Sequence, residues 1–259
     1  MKNIIIYLTS RFIKIIANVL KVGCYIFHFF FPRKRFTIPF SSSPLVKTNS
    51  SQVIPKIIWQ TNYTDRVTLA VYINYLFNRL MAADHEYRFM TTVDREAFIR
   101  AQYPQDIFEN YSKLQIGAAQ ADFWRILVLR KYGGIYLDID AHLVWPLSFI
   151  IKADDDELYI TSKRGNINNY FIASKPNIIH LEKISNAIMR NINENKLKNV
   201  YDLTGPGVFN IVLDKEEVNT KPYRYVCNQG NFTNEYFQYI DKKEGKWTKV
   251  QNKIDIIRK

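Results

Sequence analysis

No acidic residue occurs before Asp65. Nine basic residues (Lys2, Arg11, Lys14, Lys21, Arg33, Lys34, Arg35, Lys47 and Lys56) stand unopposed in that stretch and account for all but three of the chain's net charge of +12. A nucleic-acid binder keeps its basic patch on the folded domain, interleaved with stacking aromatics. Here the excess lies on an N-terminal arm, which argues against nucleic acid and for an anionic membrane surface. Cysteine is nearly absent. Cys24 and Cys227 have no ligand-like spacing, which excludes a disulfide framework and a thiolate zinc site. Histidines 85, 142 and 180 are scattered. No internal repeat is evident. The apolar run from Val22 to Phe31 falls short of the roughly 20 residues that a spanning helix needs, and no small-residue cleavage site succeeds it.

The arm nevertheless has a pattern. Arg11, Lys14, Asn18, Lys21, Tyr25 and His28 recur at steps of three and four, one narrow polar stripe on a helix otherwise built of Ile, Leu, Val and Phe. Such a helix suits the interface, with its apolar face in the acyl region and its lysines reaching headgroups. Spanning would place Lys14 and Lys21 inside hydrocarbon at roughly 2.5–3.5 kcal/mol each near the centre, so the interfacial placement is the less costly of the two. Arg33-Lys34-Arg35 would hold the folded domain on the cytoplasmic side. Residues 1–35 therefore read as a basic amphipathic membrane-associating segment. Residues 36–53, with Ser41-Ser42-Ser43-Pro44 and Asn49-Ser50-Ser51, read as a flexible linker.

Residues 54–259, in a chain 47% hydrophobic, can bury one substantial core. Strands are expected at Ile54–Gln60, Glu86–Thr91, Ile135–Leu137, Leu158–Ile160, Tyr170–Ala173 and Tyr223–Val226. Helices are expected at Asp65–Met81 with Asp65 as cap, Asp94–Tyr103, a short segment to Leu114, Ile116–Lys131, Ile178–Ile192 and Val208–Leu213. Alternation of the two predicts an α/β domain, a mainly parallel sheet with helices on both faces.

The most informative segment is Tyr132-Gly133-Gly134-Ile135-Tyr136-Leu137-Asp138-Ile139-Asp140. The glycine pair ends a helix, a short buried strand comes next, and two carboxylates stand two residues apart. Side chains two apart on a strand point to one side, so Asp138 and Asp140 can converge at the strand's C-terminal end, where ligands gather in open α/β sheets. Paired hard oxygens there suit Mg²⁺ or Mn²⁺ and, through it, a diphosphate. Upstream, Ala118, Ala119, Ala121, Leu127 and Val128 mark a helix that carries Asp122 and Arg125 on one face. As residues alone, that pair reads equally as a surface ion pair.

The run Ala121-Asp122-Phe123-Trp124-Arg125, together with Lys131-Tyr132-Gly133-Gly134-Ile135-Tyr136-Leu137-Asp138-Ile139-Asp140, resembles the signature of glycosyltransferase family 32. That family includes yeast mannosyltransferases and bacterial capsule and lipopolysaccharide transferases. Ile54 to Thr61 is similar to the family's opening strand, Asn168 to Pro176 to its return to the donor site, Leu203-Thr204-Gly205-Pro206-Gly207 to its Thr-Gly-Pro loop, and Gly245-Lys246-Trp247 to its C-terminal ending. The resemblance implies a GT-A-type Rossmann-like fold and a metal-dependent, configuration-retaining transfer from a nucleotide-sugar (UDP- or GDP-linked) to a glycan or lipid-linked acceptor. It further implies a bacterial enzyme of surface polysaccharide synthesis at the cytoplasmic face of the membrane. Asp140, with Asp138, would hold Mn²⁺ or Mg²⁺. Asp122 and Arg125 would hold the sugar and diphosphate. Trp59, Gln60, Tyr136, Asn169 and Trp247 would complete the donor site, while Trp124 falls off the Asp122/Arg125 face and reads as core. Two other readings stay open. One is a haloacid-dehalogenase-type phosphatase, which also places Asp-x-Asp after an apolar strand; Ala141 and the Gly-Gly pair speak against it. The other is a non-catalytic, membrane-bound nucleotide or carbohydrate binder.

Overall fold

The computed structural model describes residues 2–49, 51–242 and 244–258. It opens with a 29-residue helix, α1 (Lys2–Phe30). Two short strands come next, β1 (Phe36–Thr37) and β2 (Ser41–Ser42). The domain's first half then runs β3 (Ile57–Thr61), β4 (Arg66–Val67), α2 (Leu69–Met81), β5 (Glu86–Met90), α3 (Thr92–Gln102) and α4 (Gln105–Lys113). After these come α5 (Gly117–Tyr132), β6 (Gly134–Leu137) and β7 (Ala141–Leu143). The remainder comprises β8 (Glu157–Thr161), β9 (Ile167–Ser174), α6 (Ile179–Glu194), α7 (Val200–Leu203), α8 (Pro206–Val212), β10 (Thr220–Pro222), β11 (Cys227–Gln229), α9 (Glu235–Tyr239) and α10 (Trp247–Val250).

Seven strands form the central sheet in the order β10-β8-β9-β6-β3-β5-β2. Five of them (β10, β8, β6, β3 and β5) run in one direction, and β9 and β2 run against it. The sheet is therefore mixed but mainly parallel in sense. All four residues of β6 are buried, as a central strand covered on both faces requires. Its alternation assigns each face. Ile135 and Leu137 join Ile58, Tyr87 and Phe171 beneath α2. Tyr136 points the other way, among Phe123, Trp124, Ile172 and Phe209 beneath α5, α6 and α8.

Gly133 and Gly134 turn the end of α5 into β6 with φ of +63° and +101°. A Cβ on Gly134 would lie 2.6 Å from the Ile57 carbonyl oxygen, and one on Gly133 would lie 2.8 Å from the Ser174 carbonyl oxygen. Both positions need glycine for conformation and for space.

The structure departs from the sequence reading in several places; the first strand, expected at Ile54–Gln60, begins only at Ile57. Helix α2 begins at Leu69 rather than Asp65, because Arg66–Val67 is drawn into antiparallel pairing with Phe36–Thr37; its N-cap is Thr68. Tyr223–Tyr225 is a 3-10 turn entered from Pro222, with β10 and β11 on either side of it. The segment read as a linker, 36–53, joins the domain through Phe36–Thr37 and Ser41–Ser42. Ser41–Ser42 pairs with Tyr87–Arg88 as the sheet's edge strand, and Ile38 is buried.

The expected N-terminal helix is present and lies along the domain. Ile6, Ser10, Ile13, Ala17, Cys24 and His28 form its buried seam. On the opposite side Ile4, Leu8, Phe12, Ile15, Val19, Val22, Ile26 and Phe29 form an exposed stripe, each more than half exposed. The polar stripe is divided: Arg11, Lys14 and Asn18 stay exposed, whereas Lys21, Tyr25 and His28 bond to the domain.

Gly134→Ala should destabilise the protein by at least about 2 kcal/mol, the sum of left-handed backbone strain and steric overlap at the Ile57 carbonyl. Urea unfolding monitored by circular dichroism measures it. A loss below about 0.5 kcal/mol would show that the α5–β6 corner is not constrained in this way.

Candidate active site

Asp138 and Asp140 do not lie on β6 itself. They occupy the tight turn between β6 and β7, closed by the Ala141 amide donating to the Asp138 carbonyl at 3.0 Å. Every carbonyl of that turn is claimed. Gln60 Nε2 donates to Asp138 O at 3.1 Å, and Asn74 Nδ2 donates to both Ile139 O and Ala141 O at 2.9 Å. Asn78 also reaches Ala141 O, and the Gly230 amide donates to Asp140 O at 2.9 Å. Gln60, Asn74 and Asn78 are completely buried, so these bonds replace water that has no access. They explain polar residues on the inner face of α2, which a periodicity argument treats as apolar.

With the backbone fixed, the carboxylates converge. Gln229 Nε2 bridges them, at 3.2 Å from Asp138 Oδ2 and 2.8 Å from Asp140 Oδ1. Gln238 Nε2 donates to the other Asp140 oxygen at 3.1 Å. Tyr136 donates its hydroxyl to Asp138 Oδ1 at 2.5 Å. Desolvation in the cleft, with Asp138 alongside, pushes the Asp140 carboxyl up to about 6.

A second cluster adjoins this one. Arg125 Nη2 lies 2.9 Å from Asp122 Oδ1 and 3.4 Å from Asp138 Oδ1. Its Nη1 donates to the Asn169 carbonyl at 2.6 Å, and its guanidinium sits 4.3 Å from the centre of the Tyr136 ring. Asp122 also accepts from Asn169 Nδ2 at 3.0 Å and from Thr204 Oγ1 at 3.1 Å. Both charged residues are buried, so the surface-pair reading of Asp122 and Arg125 does not hold. Burial works against the Arg125 charge, but Tyr136, Asp138 and Asp122 around it more than offset that, and its pKa stands above the ordinary arginine value.

These groups line a cleft of about 660 Å³, within the range of small-molecule sites. Of the residues singled out from the sequence, Asp122, Arg125, Tyr136, Asp138, Asp140, Asn169 and Trp247 all line it. Trp59 and Gln60 do not. Trp59 is core: its Nε1 donates to the Gly133 carbonyl at 2.9 Å and its ring stacks on Tyr132. Gln60 serves the site from behind, between the Asp138 carbonyl and the Tyr87 hydroxyl. Sequence reasoning missed Gln229, Gln238 and the cations Arg95 and Lys242, which also line the cleft. No spacing links them to the motif, since the chain brings them back from elsewhere in the fold. Trp124 is fully buried, as expected.

The donor set fits a divalent cation. Two carboxylates converge on one amide hydrogen donor, and Asp140 is a half-buried anion with no cationic partner of its own among the described residues. Among those residues no cluster of three or more acids, histidines or cysteines occurs. A cation here would draw its remaining oxygens from ligand and water, which suits Mg²⁺ or Mn²⁺ more than a metal needing a full protein cage.

Residues 70–165, which include the Asp122/Arg125 helix and both motif aspartates, match the family described as "Glycosyltransferase sugar-binding region containing DXD motif". This bears out the family resemblance over that stretch. Similar curated proteins are inositol phosphoceramide mannosyltransferase 3 of Schizosaccharomyces pombe, 33% identical over 98 residues, covering 37% of this chain and 26% of that one. Mannosyl phosphorylinositol ceramide synthase SUR1 of Saccharomyces cerevisiae is 35% identical over 95 residues, covering 34% and 23%. The chain thus spans about a quarter of the length of the curated relatives it matches. Among solved structures, PaToxG Glycosyltransferase superposes with a TM-score of 0.53 at 20% identity, over 64% of this chain and 70% of that one. The fold is GT-A-like, and sequence family and fold point to the same class, the glycosyltransferases.

Removing Arg125 would leave Asp122 and Asp138 without their shared cation. Arg125→Ala should therefore lower stability by about 3–5 kcal/mol, against about 0–1 kcal/mol for an exposed pair. Denaturant unfolding of the variant decides between them, and a loss under about 1 kcal/mol would return the pair to an ordinary surface contact.

Proposed function

We propose that this chain is a metal-dependent glycosyltransferase that moves a sugar from a nucleoside diphosphate to a glycan or lipid-linked acceptor, with retention of anomeric configuration, at an anionic membrane surface. The observation that carries the reading is the convergence of Asp138 and Asp140 on a rigid turn beside the buried Asp122–Arg125 pair. A Mn²⁺ or Mg²⁺ held by Asp140, with Asp138, would neutralise the charge that builds on the departing diphosphate. Asp122, held by Arg125, Asn169 and Thr204, would accept hydrogen bonds from sugar hydroxyls, and Arg125 would hold it and Asp138 in position. Arg95 and Lys242 lie on the cleft wall with Asn62 and Tyr63, groups suited to the nucleotide portion. Trp247 and Lys246, also on the wall, would close over the donor.

Four carboxylates line the cleft among the described residues, and all are engaged. Asp122, Asp138 and Asp140 are held as described, and Glu235 pairs with Lys246 and Lys249. That fits front-side displacement, in which the leaving diphosphate itself takes the acceptor proton, better than a covalent glycosyl-enzyme. The membrane part of the reading rests on the exposed apolar stripe of α1 and the unopposed basic charge of the arm.

A panel of UDP- and GDP-sugars, assayed for release of the nucleoside diphosphate with and without EDTA, tests the reading directly. Asp140→Ala should lower the rate by roughly 10²-fold or more. Turnover that survives both EDTA and this substitution would overturn it.

A further inference from the structure

The polar groups by which α1 meets the domain do not fall at random. Lys21 Nζ donates to the Gly230 carbonyl at 3.0 Å. Gly230 in turn donates its amide to the Asp140 carbonyl at 2.9 Å, with the φ of +76° that the turn requires. The residue before it is Gln229, whose side chain bridges Asp138 and Asp140. About three helical turns before Lys21, Ser10 accepts from Asn228 Nδ2 at 2.8 Å, on the strand β11 that carries Gln229. Tyr25 accepts from Asn234 Nδ2 at 2.6 Å, and Asn234 caps α9, the helix that carries Gln238 to the other oxygen of Asp140. The Tyr25 ring packs on Tyr236 and Phe237 of that helix. Each glutamine that touches Asp140 is therefore fixed from behind by a side chain of α1.

The same contacts bear on how the helix can meet a lipid surface. The seam runs from Ile6 to His28, roughly 33 Å of helix axis. Over that length one side is applied to a domain presenting Asn228, Gly230 and Asn234, polar backbone and amide groups that hydrocarbon would not accommodate. A helix applied to the domain along this length cannot also cross the hydrocarbon core. Its outer stripe, Ile4 through Phe29, is apolar, and Arg11 and Lys14 remain exposed beside it. That arrangement suits a helix lying in the plane of an anionic interface.

We propose that Lys21 is a positioning residue of the metal site, acting through Gly230 on Gln229 and Asp140, and that α1 is a fixed part of the catalytic unit behind the cleft, lying flat on an anionic bilayer, rather than a detachable anchor. The proposal rests on the metal-dependent reading above. Lys21 and Lys14 share one polar stripe but have separate tasks: Lys21 holds the site, and Lys14 reaches headgroups.

The test uses full-length protein and two matched substitutions, Lys21→Met and Lys14→Met, each of which keeps an apolar stem and removes an ammonium. Mn²⁺ affinity is read by electron paramagnetic resonance, and binding to vesicles of phosphatidylcholine and phosphatidylserine by sedimentation. Lys21→Met should weaken Mn²⁺ binding roughly 10-fold, the usual effect of losing a group behind a metal ligand. Lys21→Arg should restore most of it. Lys14→Met should leave Mn²⁺ affinity unchanged and weaken vesicle binding about 5-fold, for roughly 1 kcal/mol lost per cation near the surface. Hydrogen exchange over residues 227–231 should be faster in Lys21→Met, a change that registers the seam without any metal. Equal Mn²⁺ affinity in wild type and Lys21→Met, or equal losses in the two methionine variants, would overturn the proposal. Wild-type protein that binds no Mn²⁺ yet shows the exchange difference would overturn the metal reading and confine Lys21 to support of the β11 turn.

Discussion

The structure depends on the hydrogen bonds that lock the four carbonyls from Asp138 to Ala141. A turn between two buried strands exposes backbone acceptors that water would otherwise satisfy, and here buried side chains take water's place. Gln60 from β3, Asn74 and Asn78 from α2, and Gly230 beyond β11 supply the donors instead. They reach the turn from three separate parts of the chain. A buried unpaired acceptor costs about 1–3 kcal/mol, so the turn holds its shape only when all of these elements are in place. Two carboxylates can then be brought together without the backbone yielding to their repulsion. The geometry of the site is thus a property of the assembled domain and not of the Asp-x-Asp sequence by itself.

Charge is distributed in the cleft with the same economy. Arg125 serves Asp122 and Asp138 together, which leaves Asp140, among the described residues, held by two glutamine amides and its own backbone amide with no cation paired to it. On the metal-dependent reading proposed above, glutamine is a suitable neighbour for Asp140. Its amide donates to a bare carboxylate and can rotate to present oxygen when a cation arrives. A lysine in either place would form a permanent ion pair and, on that reading, compete with a cation.

Much of this was legible in the sequence. The helix–Gly-Gly–strand unit, the two aspartates and the Asp122/Arg125 pair lie within one short stretch, and local pattern plus family resemblance place all of them on the cleft wall. Trp59 was not legible. A tryptophan in a central strand reads the same whether it faces a ligand or the core, and only the Gly133 carbonyl and Tyr132 beside it decide the matter. Gln229 and Gln238 were beyond reach for a different reason. They arrive from 91 and 98 residues away along the chain, in a region of short elements with weak periodicity. The arm was half legible: its stripe was visible, but which side met protein depended on Asn228 and Asn234, far along the chain.

Ser41 and Ser42 look unremarkable, a pair in a polar stretch, yet as β2 they occupy the open side of β5. A parallel sheet that ends on an uncovered strand offers a row of free amides and carbonyls to any other strand it meets, its own copies included. The short antiparallel strip, with Pro44 just beyond it, closes that row with a strand too brief to propagate. The segment between the arm and the cleft therefore acts as a selvedge, the finished border that keeps the sheet from growing into its neighbours.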